Sequence, residues 1–138
     1  MLSIQISDIK DFMSHLLSKD TFDHFYFIEA SIKMGVSYQI QGRINEGFYD
    51  TSVEQTLNRE FCYWKEIRHR IFDIIKGKRL PLSCKIVLGL SKQSISYLIA
   101  HNNSFFREED IEGIYVNILY DPKNLLITTG ISYKNFSL

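Results

Sequence analysis

Apolar and polar positions alternate along this chain in two similar series, and the series predict its architecture. In the first, Leu2, Ile4 and Ile6 share one face of a short strand. Ile9, Phe12, Met13, Leu16 and Leu17 then recur at i, i+3, i+4, i+7 and i+8, the stripe of an amphipathic helix. Ser7 stands at the N-cap position, and Asp8 complements the dipole in the first turn. From Phe22 to Met34 the chain is aromatic and β-branched, and simple alternation puts His24, Tyr26, Ile28, Ala30 and Ile32 on one face, with Phe25 and Phe27 on the other. After a turn at Gly35, Val36, Tyr38 and Ile40 alternate with Ser37, Gln39, Gln41 and Arg43, a strand buried on one side.

The second series repeats the order. Cys84, Ile86, Leu88 and Leu90 line one strand face, and Ser91 caps a helix whose Ile95, Leu98 and Ile99 turn inward. Ile114, Val116, Ile118 and Tyr120 lead into Asp121-Pro122-Lys123-Asn124, a type I turn signal, and Leu125, Ile127, Thr129, Ile131 and Tyr133 follow. Between the series, residues 51–76 carry a helical stripe of Trp64, Ile67, Ile71, Ile74 and Ile75, stopped by Gly77 and Pro81. The expected fold is therefore α+β. Two strand-helix-strand-strand pseudo-repeats, about 2–44 and 85–133, form one antiparallel or mixed sheet with helices mainly on one face. A longer basic helix over about 51–76 joins them. The 138 residues suit a single domain, and a 45% hydrophobic content supplies its core.

Little in the composition points to chemistry. Cys62 and Cys84 form no CxxC pair and are expected to be inert, reduced thiols. The first residues, Met-Leu-Ser-Ile-Gln-Ile-Ser-Asp, lack the basic and apolar regions of a signal peptide. No apolar run approaches the ~20 residues of a membrane span. A soluble cytoplasmic protein with no membrane partner is expected. His15, His24, His69 and His101 form no HxH, HxxxH or HExxH pattern, so no metal site or cofactor is assigned. GxSxG is absent, Ser91 follows Gly89-Leu90 as a helix cap, and Cys62 is too far along its helix from His69 for a dyad. Glu108, Glu109, Asp110 and Glu112 read as a solvated run. No catalytic residue is assigned, and the expectation leans away from an enzyme.

Charge changes the picture more. Sixteen basic and sixteen acidic residues cancel, yet nine basic and only three acidic ones lie between Arg59 and Lys92. Such separation can make a positive face on a neutral protein. The densest stretch is Lys76-Gly77-Lys78-Arg79, with Arg68, His69 and Arg70 upstream. Arg68, Arg70, Lys76, Lys78 and Arg79 are the candidate nucleic-acid or anion-binding residues, through charge-assisted bonds to phosphate or carboxylate. Cations at a helix C-terminus also complement its dipole, at ~0.3–1 kcal/mol each. Glu66 and Arg70 are placed for an i, i+4 pair. Gln39, Gln41, Arg43, Lys85, Asn117, Thr128 and Ser132, with Tyr115, should form a polar outer sheet face.

The stretch Phe72-Asp73-Ile74-Ile75-Lys76-Gly77-Lys78-Arg79-Leu80-Pro81-Leu82-Ser83, followed by Lys85-Ile86-Val87, resembles a family of short bacterial proteins of Firmicute type and unknown function. Ser7-Asp8-Ile9-Lys10-Asp11-Phe12-Met13 and Gly42-Arg43-Ile44-Asn45 resemble it too. The resemblance implies a compact cytoplasmic protein with no assigned activity. The doubled strand-helix-strand-strand order is also similar to a domain of the DNA sliding clamps, which implies sequence-independent DNA contact. Asp8 and Asp11 on the first repeat helix, and the long helix between the repeats, depart from the clamp pattern.

The leading expectation is a non-enzymatic binding protein that meets nucleic acid or another polyanion through the basic helix and turn. One alternative is a small enzyme or ligand-binding protein that uses the same cations to hold an anionic substrate. The other is a homo-oligomeric interaction protein.

Overall fold

The computed structural model describes residues 2–49, 59–101 and 107–134. Strand β1 (Ser3–Gln5) leads into helix α1 (Ile9–Leu17), then strands β2 (Tyr26–Lys33) and β3 (Ser37–Gln41). Helix α2 (Trp64–Ile75) is followed by β4 (Ser83–Gly89), helix α3 (Lys92–His101), β5 (Ile111–Tyr120) and β6 (Leu125–Tyr133). The six strands make one sheet in the order β1-β6-β5-β4-β2-β3, antiparallel at every step. The fold is α+β, as expected.

Leu16 and Leu17 of α1 and Trp64 and Ile71 of α2 pack on a single face of the sheet. They meet Phe27, Ala30, Ile32, Cys84, Ile86, Leu88, Ile118, Tyr120 and Leu125 there. Each fully buried Leu, Ile or Phe among them contributes ~1.5–3 kcal/mol by leaving water. The two series of elements enter this sheet differently. β4 lies inside, bonded to both β2 and β5, whereas β1 is a short exposed edge bonded only to β6. A two-fold exchange of halves would need β1 and β4 in equivalent places, so the likeness lies in the order of elements and in the two hairpins.

Several local expectations change for physical reasons. The α1 cap is Asp8, whose Oδ1 accepts from the Asp11 amide at 3.0 Å, in place of Ser7. The helix expected over 51–76 begins only at Trp64; residues 51–58 lie outside the described residues. Residues 60–63 are not free to coil, because neighbouring strands take their backbone groups. Phe27 N donates to Cys62 O at 2.8 Å, Cys62 N to Gly42 O at 2.9 Å, and Ile44 N to Glu60 O at 2.9 Å. The helix itself holds Lys65, Arg68 and Arg70 against Glu66 and Asp73, so it is only weakly basic.

The inner face of β2 also departs from simple alternation. Phe27 stands opposite Leu88, yet Glu29 stands opposite Val87, so Ile28 is an inserted bulge residue. The insertion flips the parity, putting Phe27 in the core with Ala30 and Ile32 and laying Ile28 over Gly89. Gly42 N donates to Ile28 O at 2.8 Å beside this bulge. A Cβ on Gly42 would sit 1.8 Å from the Phe27 carbonyl oxygen, a collision with backbone that no rotamer relieves.

Gly42→Ala is expected to cost about 3 kcal/mol or more in urea denaturation. Gly35→Ala, where an added Cβ meets nothing within 4 Å, should change stability by less than about 0.5 kcal/mol. Equal effects of the two would contradict the bulge account.

Candidate functional site

The direction of α2 decides where the basic turn goes. At its start, Trp64 N donates to Phe25 O at 2.8 Å, just before β2 begins. After its end, Leu82 N donates to Lys33 O at 2.8 Å, the last residue of β2. The helix therefore runs along β2 in the same direction. Its C-terminal turn arrives at the edge of the sheet where β2 turns into β3, β4 begins, and β5 turns into β6. The register shows this convergence, since Lys33 opposes both Ser37 and Ser83 while Cys84 opposes Tyr120.

Six exposed cations gather at this turn end: Lys33, Lys76, Lys78, Arg79, Lys85 and Lys123. Gly77, with φ +144°, lets the chain reverse between Lys76 and Lys78, a conformation that suits glycine alone. Two carboxylates accompany them. Asp73 meets Lys76 at 3.0 Å in an exposed i, i+3 pair, worth little in water. Asp121 Oδ1 accepts from the backbone amides of Lys123 and Asn124, each at 2.8 Å. Among the described residues, Lys33, Lys78, Arg79, Lys85 and Lys123 make no ion pair. Further round lies the start of α1, with Lys10 between Asp8 and Asp11, tied in by Gln5 Nε2 donating to Asn124 Oδ1 at 3.2 Å. On the outer sheet face Lys33, Lys85, Ser31, Ser83 and Asn124 rim a shallow hollow of about 450 Å³, with Asp121 also on its lining.

Of the five cations singled out in the sequence, the structure brings three together. Lys76, Lys78 and Arg79 lie at the turn end. Arg70 is exposed midway along α2, without an ion pair among the described residues. Arg68 is elsewhere and already engaged. Its Nε and Nη2 donate to the two Asp23 oxygens at 2.8 and 3.1 Å, with side chains only 11% and 8% exposed. Nη1 reaches Leu17 O at 3.5 Å, so this guanidinium fastens α2 to the connection between α1 and β2. The i, i+4 pair expected between Glu66 and Arg70 is replaced by another. Glu66 accepts from Arg59 at 2.6 and 2.9 Å and from the Tyr63 amide at 2.7 Å. The Arg59 bonds hold the Glu66 carboxyl below the usual range. Lys33, Lys85 and Lys123 were missed because the sequence does not say which strand ends lie side by side.

The opposite end is crowded with paired charge. Arg59 lies 4.4 Å from the Tyr63 ring centroid, and Tyr63 stacks on Tyr26 at 5.3 Å. Arg43 pairs with Glu60 and covers Phe61 at 5.1 Å. Beside them, Glu60, Glu109 and Glu112 line a cleft of about 520 Å³ with Lys92 and Lys134. Burial pushes the Cys84 thiol up to about 12, and burial followed by the Glu66 charge raises Cys62, so neither is a ready thiolate at neutral pH. His15 bonds Thr21 Oγ1 at 2.9 Å, His101 stacks on Tyr97 at 4.0 Å, and His24 and His69 are exposed. Among the described residues no group of three or more His, Cys, Asp or Glu could hold a metal ion, and no helix is long and apolar enough to cross a membrane.

A family of unknown function, DUF5721, matches residues 15–138. The chain belongs to that family. No curated protein and no solved structure matches it. The DUF5721 match takes in α2, the whole turn end and every strand except β1, so the cations described above lie within it.

In this DUF5721 chain, Arg68→Ala should leave the buried Asp23 carboxylate uncompensated and cost about 3 kcal/mol or more in urea unfolding. Arg68→Met combined with Asp23→Leu should recover most of that loss. A single substitution as mild as an exposed one would contradict the fastening role.

Proposed function

We propose that this DUF5721 protein is a non-enzymatic binding protein that holds a polyanion, nucleic acid in the first instance, at its turn end. One observation carries the reading. Six exposed cations from four separate chain segments meet at one end of the sheet, with two carboxylates that are already engaged. Segments distant in sequence have no local reason to place like charges together, and the self-repulsion is relieved only by solvent, salt or an anionic ligand. Lysines on short turns suit phosphate as point charges, and Arg79 can engage it bidentately. Contact of this kind positions a backbone and carries no base sequence. The likeness to sliding clamps enters only as a shared order of elements and a shared class of ligand.

Binding to a duplex of about 20 base pairs should fall steeply between about 50 and 200 mM salt, by counterion release. Lys78→Ala with Arg79→Ala should weaken binding across all sequences and reduce the log–log salt slope by about 2. Fluorescence anisotropy at both salt concentrations measures each quantity. An unchanged affinity and slope would remove the turn end from consideration.

The hollow bounded by Lys33, Lys85, Ser31, Ser83 and Asn124 favours a second reading, a small anionic ligand held on the outer face. Lys33→Ala with Lys85→Ala separates the two. It abolishes binding of a small anion held there, and only weakens binding of a long polyanion that Lys78 and Arg79 also contact.

A further inference from the structure

The turn end presents aliphatic side chains as well as charge. Leu80 and Leu82 are 65% and 69% exposed, and Val36 is 64% exposed. Between the two leucines, Pro81 is fully buried and anchors the turn that displays them. Leu82 and Val36 are neighbours through the sheet. Leu82 N donates to Lys33 O at 2.8 Å, and Met34 N donates to Val36 O at 3.0 Å. The register that sets Lys33 opposite both Ser37 and Ser83 puts Leu82, Met34 and Val36 in one cross-strand row. That row lies on the face away from the Lys33 side chain. Tyr38, 38% exposed, stands beside it in the next row, opposite Ile32. Helix α2 stops at Ile75; beyond it Met34 packs against the core, while Val36, Leu80 and Leu82 stay exposed.

A single exposed leucine is ordinary, but three exposed aliphatic side chains on two adjoining turns are not. On a duplex, aliphatic side chains find only thymine methyl groups or a base step that must first be unstacked. A bilayer surface offers both halves of what this end displays. Aliphatic side chains enter the boundary between headgroups and acyl chains, and flanking cations rest on anionic headgroups. Lys76, Lys78 and Arg79 lie in the same turn as Leu80 and Leu82.

We propose that the turn end docks on an anionic lipid surface, with Val36, Leu80 and Leu82 entering the headgroup region and Lys76, Lys78 and Arg79 on the lipid phosphates. This rests on the polyanion reading of the turn end but gives it a membrane surface in place of nucleic acid, and so departs from the expectation of no membrane partner. The contact is peripheral. Each cation beside an anionic leaflet multiplies partitioning by about five, and the aliphatic side chains make contact with the acyl boundary that salt does not screen.

The test is co-sedimentation of the full chain with phosphatidylcholine vesicles, with and without about 30% phosphatidylserine, alongside duplex binding by anisotropy. The wild type should partition onto the serine-containing vesicles and not onto phosphatidylcholine alone. Leu80→Ser with Leu82→Ser should cut that partitioning at least ten-fold and leave duplex affinity unchanged. Lys78→Ala with Arg79→Ala should lower both. Val36→Ser serves as an independent probe, and circular dichroism with a melting curve checks that each variant is folded. Vesicle binding without duplex binding supports the proposal outright. Duplex binding without vesicle binding, or vesicle binding indifferent to Leu80, Leu82 and Val36, overturns it and leaves the polyanion reading standing. Binding to neither removes both.

Discussion

The structure depends on how residues 61–68 are fastened beside the bulge in β2. The inserted Ile28 turns Phe27 into the core and exposes backbone groups that a regular strand would have spent on its neighbours. The chain from Phe61 to Trp64 uses them, with isolated bridges from Tyr63 to Tyr26 and from Phe61 to Arg43. Trp64 then enters the core and donates Nε1–H to Leu16 O at 2.8 Å, while Arg68 clasps Asp23 one turn later. Gly42 is the residue that permits so close an approach. With these contacts in place, α2 has one direction to take over the sheet.

That direction produces the electrostatic polarity. Because α2 runs with β2, its terminal cations are delivered to the same end as the starts of β3 and β4 and the hairpin between β5 and β6. Charges scattered over some ninety positions in sequence become neighbours. At the other end Arg59 and Arg43 are bound to carboxylates and laid over aromatic rings, while Lys92 and Lys134 share a cleft with Glu60, Glu109 and Glu112. The net charge of zero hides this, since the balance holds for the chain and not for its two ends.

Much of the fold is legible in the sequence. Alternation places Cys84, Ile86 and Leu88 inward, the Asp121–Asn124 turn forms as its residues require, and Ser91 caps α3 through the Ser94 amide. These are local signals acting over a few residues. What is not legible depends on partners. The bulge at Ile28 follows from the segment that arrives from residue 62, and alternation has no term for it. Arg68 looks no different from Arg79 in the sequence, but one faces a buried Asp23 and the other water. The helix over 59–63 fails because backbone bonding to β2 and β3 overrides a helical pattern. Lys33 and Lys85 join the candidate site only through strand register.

The most direct measurement is an amide chemical-shift titration of the whole chain with a soluble polyanion at low and moderate salt. Convergence of the cations at the turn end predicts shifts confined to residues 33–38, 76–85 and 121–124, shrinking together as salt rises. Shifts centred instead on residues 59–66 or 92–101, or spread evenly over the surface, would contradict it.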